Sequence, residues 1–166
     1  TRGMNVVIGY PKQINKKLFN MAGVFIRGKL QKEYKKFQLP NYGVFDEDRY
    51  FKKGTEPTTF TIKNRKIGIT ICEDIWVDVG AINKRISEDN IDLLINISAS
   101  PFSVDKQKKR LKILKTISKK NSVEICYCNL VGGQDELVFD GKSMILNRGG
   151  DVVAYAKEFD EDLLIK

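Results

Sequence analysis

The chain has 166 residues, 42% of them apolar, enough for a single domain with a substantial core, and its 29 Lys and Arg against 21 Asp and Glu leave a formal charge of +8. No stretch approaches the roughly 18 uncharged apolar residues of a membrane span, and Thr1 to Pro11 lack the basic-then-apolar layout of a signal peptide, so the reading is a cytoplasmic protein with no membrane partner. There is no histidine, and three cysteines, at positions 72, 126 and 128, suit neither a disulfide framework nor a zinc site, so no metal is expected.

In chain order, "MNVVIG" near the start, "NMAGVFIRGKL" from Asn20, "TTFTIKN" from Thr58 and "KIGITI" from Lys66 are short and rich in Val, Ile, Thr and Phe. Bounded by Gly, Pro and Asn, they predict strands. Between the second and third, "EYKKFQLPNYGVFDEDRYF", Glu33 to Phe51, gathers aromatics, an Asn-Tyr-Gly turn and alternating charges into a non-periodic stretch of the kind that carries function. "VDVGAINKRISEDN" predicts a helix and "IDLLINIS" a buried strand. "DKQKKRLKILKTISKK", Asp105 to Lys120, repeats Leu111, Leu114 and Ile117 at helical spacing among lysines, which predicts an amphipathic helix with a solvated basic face. "SVEICYCNLV" predicts another strand, and "KSMILN" and "DVVAYAKEF" a final pair joined by the turn signal "NRGG". Alternating strands and helices favour an α/β domain whose sheet is covered by helices. The positive charge collects between Lys12 and Lys36 and on the Asp105 to Lys120 helix. A nucleic-acid surface would add a reading motif or stacking aromatics, which that helix lacks, so no nucleic-acid partner is expected.

"IGITICEDIW", Ile67 to Trp76, places Cys72 at the end of a strand, where the turn beyond can expose its thiol. A thiol attacks as its thiolate and needs a base or a nearby positive charge. Without histidine, the base must be a carboxylate and the cationic partner a lysine. A lone cysteine after a strand is also commonly buried filler. Glu73 and Asp74 are poor core residues, however, and Trp76 offers an apolar wall, so the corner reads as a pocket. Cys126 and Cys128, two apart on one strand, share a face and read as core packing.

Three segments, Tyr34 to Tyr42, Phe45 to Phe51 and Ile71 to Trp76, resemble the nitrilase-type carbon-nitrogen hydrolases. More narrowly, "LPNYGVFDEDRYF", "ISASPF" and "YCNLVGGQDELVFDG" are similar to the glutaminase domain of glutamine-dependent NAD synthetases, and the resemblance covers almost the whole chain. It implies a nitrilase-like four-layer α-β-β-α sandwich and a Glu-Lys-Cys triad. By resemblance, Cys72 attacks the side-chain amide of glutamine, and Lys36 holds positive charge near the oxyanion, with Lys35 as adjacent competitor and a solvated pair with Glu33 as that residue's plain reading. Glu47 matches a carboxylate that orients the lysine, an ion pair with Arg49 being the alternative. Tyr42, Glu73, Trp76 and one of Ser98 or Ser100 match positions lining the glutamine pocket, although these serines could equally cap the following helix.

The family's catalytic glutamate lies on a strand preceding the one that "MNVVIGYP" resembles, and none of the glutamates here stands in its motif. The expectation is therefore that residues 1–166 are one partial carbon-nitrogen hydrolase domain, without its first strands and helices and inactive as given. It would be an internal fragment of a homo-oligomeric parent whose synthetase domain, using ATP and magnesium, receives the ammonia. The domain itself is expected to need no cofactor. The rival readings are a stand-alone amidase or nitrilase acting on another amide, and a basic nucleic-acid-binding module.

Overall fold

A computed structural model of the chain describes residues 3–76 and 79–166. Strands β1 (Asn5–Ile14), β2 (Lys17–Ile26) and β3 (Lys29–Lys35) form an antiparallel ribbon in that order. Its two-residue turns, Asn15-Lys16 and Arg27-Gly28, have φ of 49° and 63° and of 51° and 78°. Positive φ at both central residues is the type I′ geometry whose twist matches the flanking strands. The segment expected as a single strand from Asn20 is thus divided at Arg27-Gly28. The ribbon's third strand, "KLQKEYK", has no apolar alternation of its own and owes its conformation to pairing with β2.

The second sheet has six strands, β4 (Thr59–Ile62), β5 (Arg65–Ile71), β6 (Leu93–Ser98), β7 (Glu124–Asn129), β10 (Met144–Leu146) and β11 (Val152–Tyr155), in the order β11-β10-β7-β6-β5-β4. The central strands β5, β6 and β7 run parallel, joined by α2 (Val79–Asp89) and α3 (Lys106–Asn121). Both helices pack on one face, where Ile86 from α2 and Leu114 and Ile117 from α3 join Leu94, Ile125, Met144 and Leu146 from the strands. The opposite face meets the ribbon, with Ala22, Val24 and Tyr34 against Phe60, Ile67, Ile69 and Ile71. The layers therefore run helices, large sheet, small sheet. The expected strands and helices after Thr58 are all found, but the helix expected from Val77 has its first two residues outside the described ones. No helix among the described residues is long and apolar enough to cross a membrane.

Three local expectations change. "SVEICYCNLV" ends as a strand at Asn129, and the chain turns into a separate hairpin, β8 (Val131–Gln134) with β9 (Leu137–Asp140). Cys126 is partly buried and Cys128 exposed, rather than both in the core. The period-2 pleat sends Ile125 and Tyr127 beneath the helices and both cysteines to the other face. The basic face of α3 is not wholly solvated, because Arg110 is 1% exposed. Its guanidinium donates to both oxygens of Asp140, at 2.9 and 3.1 Å, and Asn129 adds its amide to the same carboxylate at 3.3 Å.

A fully buried ion pair is costly to break from one side, because the partner left behind is an uncompensated charge. Asp140→Ala should lower unfolding stability by about 3–5 kcal/mol, read from the urea midpoint, and Arg110→Met with Asp140→Leu should recover most of the loss. A single substitution as mild as the double one would show that the pair is not desolvated.

Candidate active site

Strand β5 ends in extended conformation at Ile71, and Cys72 opens a 3-10 turn, Cys72–Ile75, with φ of +42°. A left-handed cysteine costs of order 1–3 kcal/mol and persists only where its surroundings impose it. The constraint here is Asp74, 3% exposed. Its Oδ2 accepts the Ile71 N–H at 2.8 Å and the Tyr34 hydroxyl at 2.7 Å, while Oδ1 accepts the N–H groups of Phe37 at 3.1 Å and Gln38 at 2.8 Å. One carboxylate thus ties the turn bearing Cys72 to the segment bearing Lys36. Burial pushes its pKa up, and these donors oppose the rise.

Lys36 follows β3 and is 1% exposed. Its backbone donates to Asn20 O at 2.9 Å and accepts from Gly54 N at 2.8 Å. A Cβ on residue 54 would stand 2.3 Å from the Lys35 carbonyl oxygen, so only glycine permits that approach. The Lys36 ammonium donates to both oxygens of Glu47, at 2.6 and 2.8 Å, from the one-turn helix α1 (Glu47–Tyr50). These bonds use two of its three donors and leave one for the cleft. Arg49 pairs with Asp46 at 3.4 Å, so the alternative Glu47–Arg49 pair does not form. Nor does a Lys35–Glu33 pair: Lys35 lies 4.7 Å from the Phe19 ring centroid, and Glu33 is bound by Lys12 at 2.7 Å.

Lys36, Glu47, Cys72, Ser98 and Cys128 line one cleft of about 620 Å³. Cys72 is 9% exposed, so the thiol expected on an open turn is instead buried against that cleft. It also borders a smaller cavity of about 210 Å³ lined by Tyr42, Glu73, Trp76 and Ser100, and by Phe45 and Lys106. Every residue singled out for the site from sequence therefore borders one of two adjoining spaces that share Cys72. The Tyr42 hydroxyl donates to Glu73 Oε1 at 2.6 Å, and desolvation followed by this bond raises the phenol's pKa. The serines separate. Ser98 donates to Asn96 Oδ1 at 2.6 Å beside the cleft, whereas Ser100, 1% exposed, faces the smaller cavity; its backbone N–H donates to Asn129 Oδ1 at 2.9 Å and its hydroxyl accepts from Arg110 at 3.4 Å. Neither caps α3, whose N-cap is Asp105. Asn129, Arg110 and Asp140 went unrecognised in the sequence, and Asp74, noticed there only as a poor core residue beside the thiol, is a buried strut between two segments. Their only signal there is polarity, which does not distinguish a buried strut from a solvated side chain.

Burial is the largest influence on the Cys72 thiol and raises its pKa. The Lys36 charge and a hydrogen bond with Ser98 oppose that rise, and Glu73 and Glu47 add to it. The thiol is therefore protonated at neutral pH and needs a base to attack.

Two stacked sheets that bring a buried thiol and a buried lysine–carboxylate pair to one cleft describe a histidine-free cysteine site. Residues 1–166 match the carbon-nitrogen hydrolase family, and the chain belongs to it. Within that family, it is 44% identical over 147 residues to the glutamine-dependent NAD(+) synthetase of Aquifex aeolicus, covering 89% of this chain and 26% of that protein. The Thermotoga maritima glutamine-dependent NAD(+) synthetase is 43% identical over 162 residues, covering 98% and 28%. In structure, the glutamine-dependent NAD+ synthetase from Acinetobacter baumannii in complex with ADP superposes with a TM-score of 0.92 at 37% identity, covering 98% of this chain and 31% of that one. The fold is thus that of the nitrilase superfamily, as the motifs implied, and the chain spans little more than a quarter of the two curated relatives.

The raised thiol pKa sets the sign of a titration. Alkylation of Cys72 by iodoacetamide, followed by peptide mass spectrometry, should be slower than that of Cys128 at pH 7 and still rising above pH 9, beyond an ordinary thiol of pKa about 8.5. A Cys72 rate already level by pH 7 would mean that Lys36 outweighs burial.

Proposed function

We propose that this domain hydrolyses the side-chain amide of glutamine and supplies ammonia to a synthetase segment of the same parent chain. The observation that carries the reading is the buried Lys36 ammonium, paired with Glu47 and bordering the same cleft as Cys72. The similarity to glutamine-dependent NAD synthetases supports glutamine over another amide. The Cys72 thiolate attacks the amide carbon, and the free N–H of Lys36 donates to the tetrahedral oxyanion. Collapse expels ammonia, the leaving nitrogen taking the proton removed from the thiol, and leaves a γ-glutamyl thioester. Water then adds to the thioester, releasing glutamate and restoring the thiol.

Both steps need a base. Glu47 is bound through both oxygens to Lys36, and Glu73 accepts from Tyr42. We assign the base to a glutamate of the parent chain outside these 166 residues, as the family triad implies. The ammonia would be consumed in an ATP- and magnesium-dependent amidation by the synthetase segment, with no cofactor in the domain itself.

In the full-length parent, Cys72→Ala should abolish glutamine-dependent synthesis and preserve synthesis from added ammonia, and glutamine-dependent turnover by this variant would remove Cys72 from the chemistry. Lys36→Ala should lower ammonia release at least about a hundredfold, the scale of one oxyanion donor, and Lys35→Ala far less. A further comparison locates the base. The chain as given should release no measurable ammonia from glutamine, while a version extended upstream should, a difference of roughly 10² to 10⁴-fold or more. Equal turnover by the two would place the base within these residues.

A further inference from the structure

The pleat that sends Leu94 beneath the helices sends Asn96 and Ser98 to the same face of β6. Parallel register sets Asn96 between Thr70 of β5 and Tyr127 of β7, and Ile71 opposite Ile97, so Cys72 follows β5 where Ser98 ends β6. Both Cys72 and Ser98 line the larger cleft. Asn96 is 0% exposed, and its amide is bonded to neighbours on two strands. Its Nδ2 donates to the Thr70 hydroxyl at 2.9 Å, and its Oδ1 accepts from the Ser98 hydroxyl at 2.6 Å. The Thr70 hydroxyl in turn donates to the Ile95 carbonyl at 3.4 Å. A carbonyl only accepts, so the chain of donation runs one way, from Ser98 through Asn96 and Thr70 to Ile95.

A hydroxyl carries one proton. While Asn96 holds it, Ser98 offers Cys72 only lone pairs, which can receive an S–H and cannot stabilise a thiolate. The hydrogen bond by which Ser98 counters the rise of the thiol's pKa needs the opposite direction, with the proton turned to the sulfur. Turning it there takes from the buried Asn96 Oδ1 a donor that bulk water does not replace. We propose that Asn96 is a positioning residue that acts on Cys72 through Ser98: it competes with the sulfur for the hydroxyl's one proton, so that Ser98 accepts from the thiol at rest and donates to the sulfur only once a base has taken the thiol's own proton. The inference rests on Cys72 as the nucleophile of the proposed function and adds to it a control on when the sulfur is charged. The other ionisable groups about Cys72 are Lys36 and Glu47 in the cleft, Glu73, Tyr42 and Lys106 in the smaller cavity, and Tyr127 beside Asn96 on β7.

The test uses the full-length parent protein and follows alkylation of Cys72 by iodoacetamide against pH, by peptide mass spectrometry, together with the pH profile of kcat/KM for ammonia release from glutamine. Ser98→Ala removes the donor to the thiolate and should raise the apparent pKa of Cys72, while Ser98→Thr, which keeps the hydroxyl, should restore it. Asn96→Leu removes the competitor and should lower it, each displacement being about 0.5 to 1, the size of one neutral hydrogen bond. The double variant should match Ser98→Ala alone, because without the hydroxyl Asn96 has no route to the sulfur. A fall or no change with Ser98→Ala, a rise or no change with Asn96→Leu, or additive displacements in the double variant overturn the assignment. A merely structural role gives no such opposition of sign between adjoining residues. Should Asn96→Leu not fold, Asn96→Ala takes its place, and the Ser98 variants decide by their own sign. Absence of ammonia release by the unsubstituted protein overturns the glutaminase reading, whereas the alkylation profiles still decide the role of Asn96.

Discussion

The carboxylate of Asp74 accepts four hydrogen bonds, three from the segment around Lys36 and one from the residue preceding Cys72. Because Lys36 follows the small sheet and Cys72 the large one, their separation depends on how the two sheets stack, and apolar contact between Ala22, Val24 and the β5 isoleucines allows many small slides. Directional bonds to one buried group remove that freedom. The arrangement is stable because the donors replace the water that a buried carboxylate loses. It also explains how a cysteine is kept at positive φ: the Ile71 N–H, committed to Asp74, leaves the turn little room to relax.

The electrostatics follow from the lack of histidine. Lys36, 1% exposed, is bound through both oxygens of Glu47, so the charge that histidine would otherwise supply is compensated where it lies. A nearly neutral pair then lies near the thiol instead of a bare cation, in keeping with the upward displacement of the Cys72 pKa by burial. Such a site would hold its thiol protonated until a base acts, which protects the sulfur from adventitious alkylation or oxidation. The lysine's remaining N–H is available for an oxyanion that arises only during reaction.

Helix α3 shows how one basic segment divides among unrelated tasks. Leu114 and Ile117 are buried beneath it, Arg110 is clamped by Asp140, and Lys106 and Lys109 border the small cavity, while Lys108 remains exposed. The Arg110 cluster reaches the site as well, since Arg110 and Asn129 both hold Ser100. The overall charge of +8 is therefore not a measure of one uniform surface.

Local pattern alone determined strands β4 to β7, both long helices and the final pair β10 and β11, because burial on one face imposes a period of two or of 3.6 that the residues must display. Composition alone required a carboxylate and a lysine around any reactive cysteine, and the motifs identified the family. Which of two adjacent lysines is buried, which partner Glu47 takes, which serine faces which cavity and which face Cys126 and Cys128 occupy were decided only by tertiary structure. Each depends on groups distant in sequence, such as Gly54 closing over Lys35 or Asn129 holding Ser100, and a side chain's polarity specifies that it needs a partner without specifying which one.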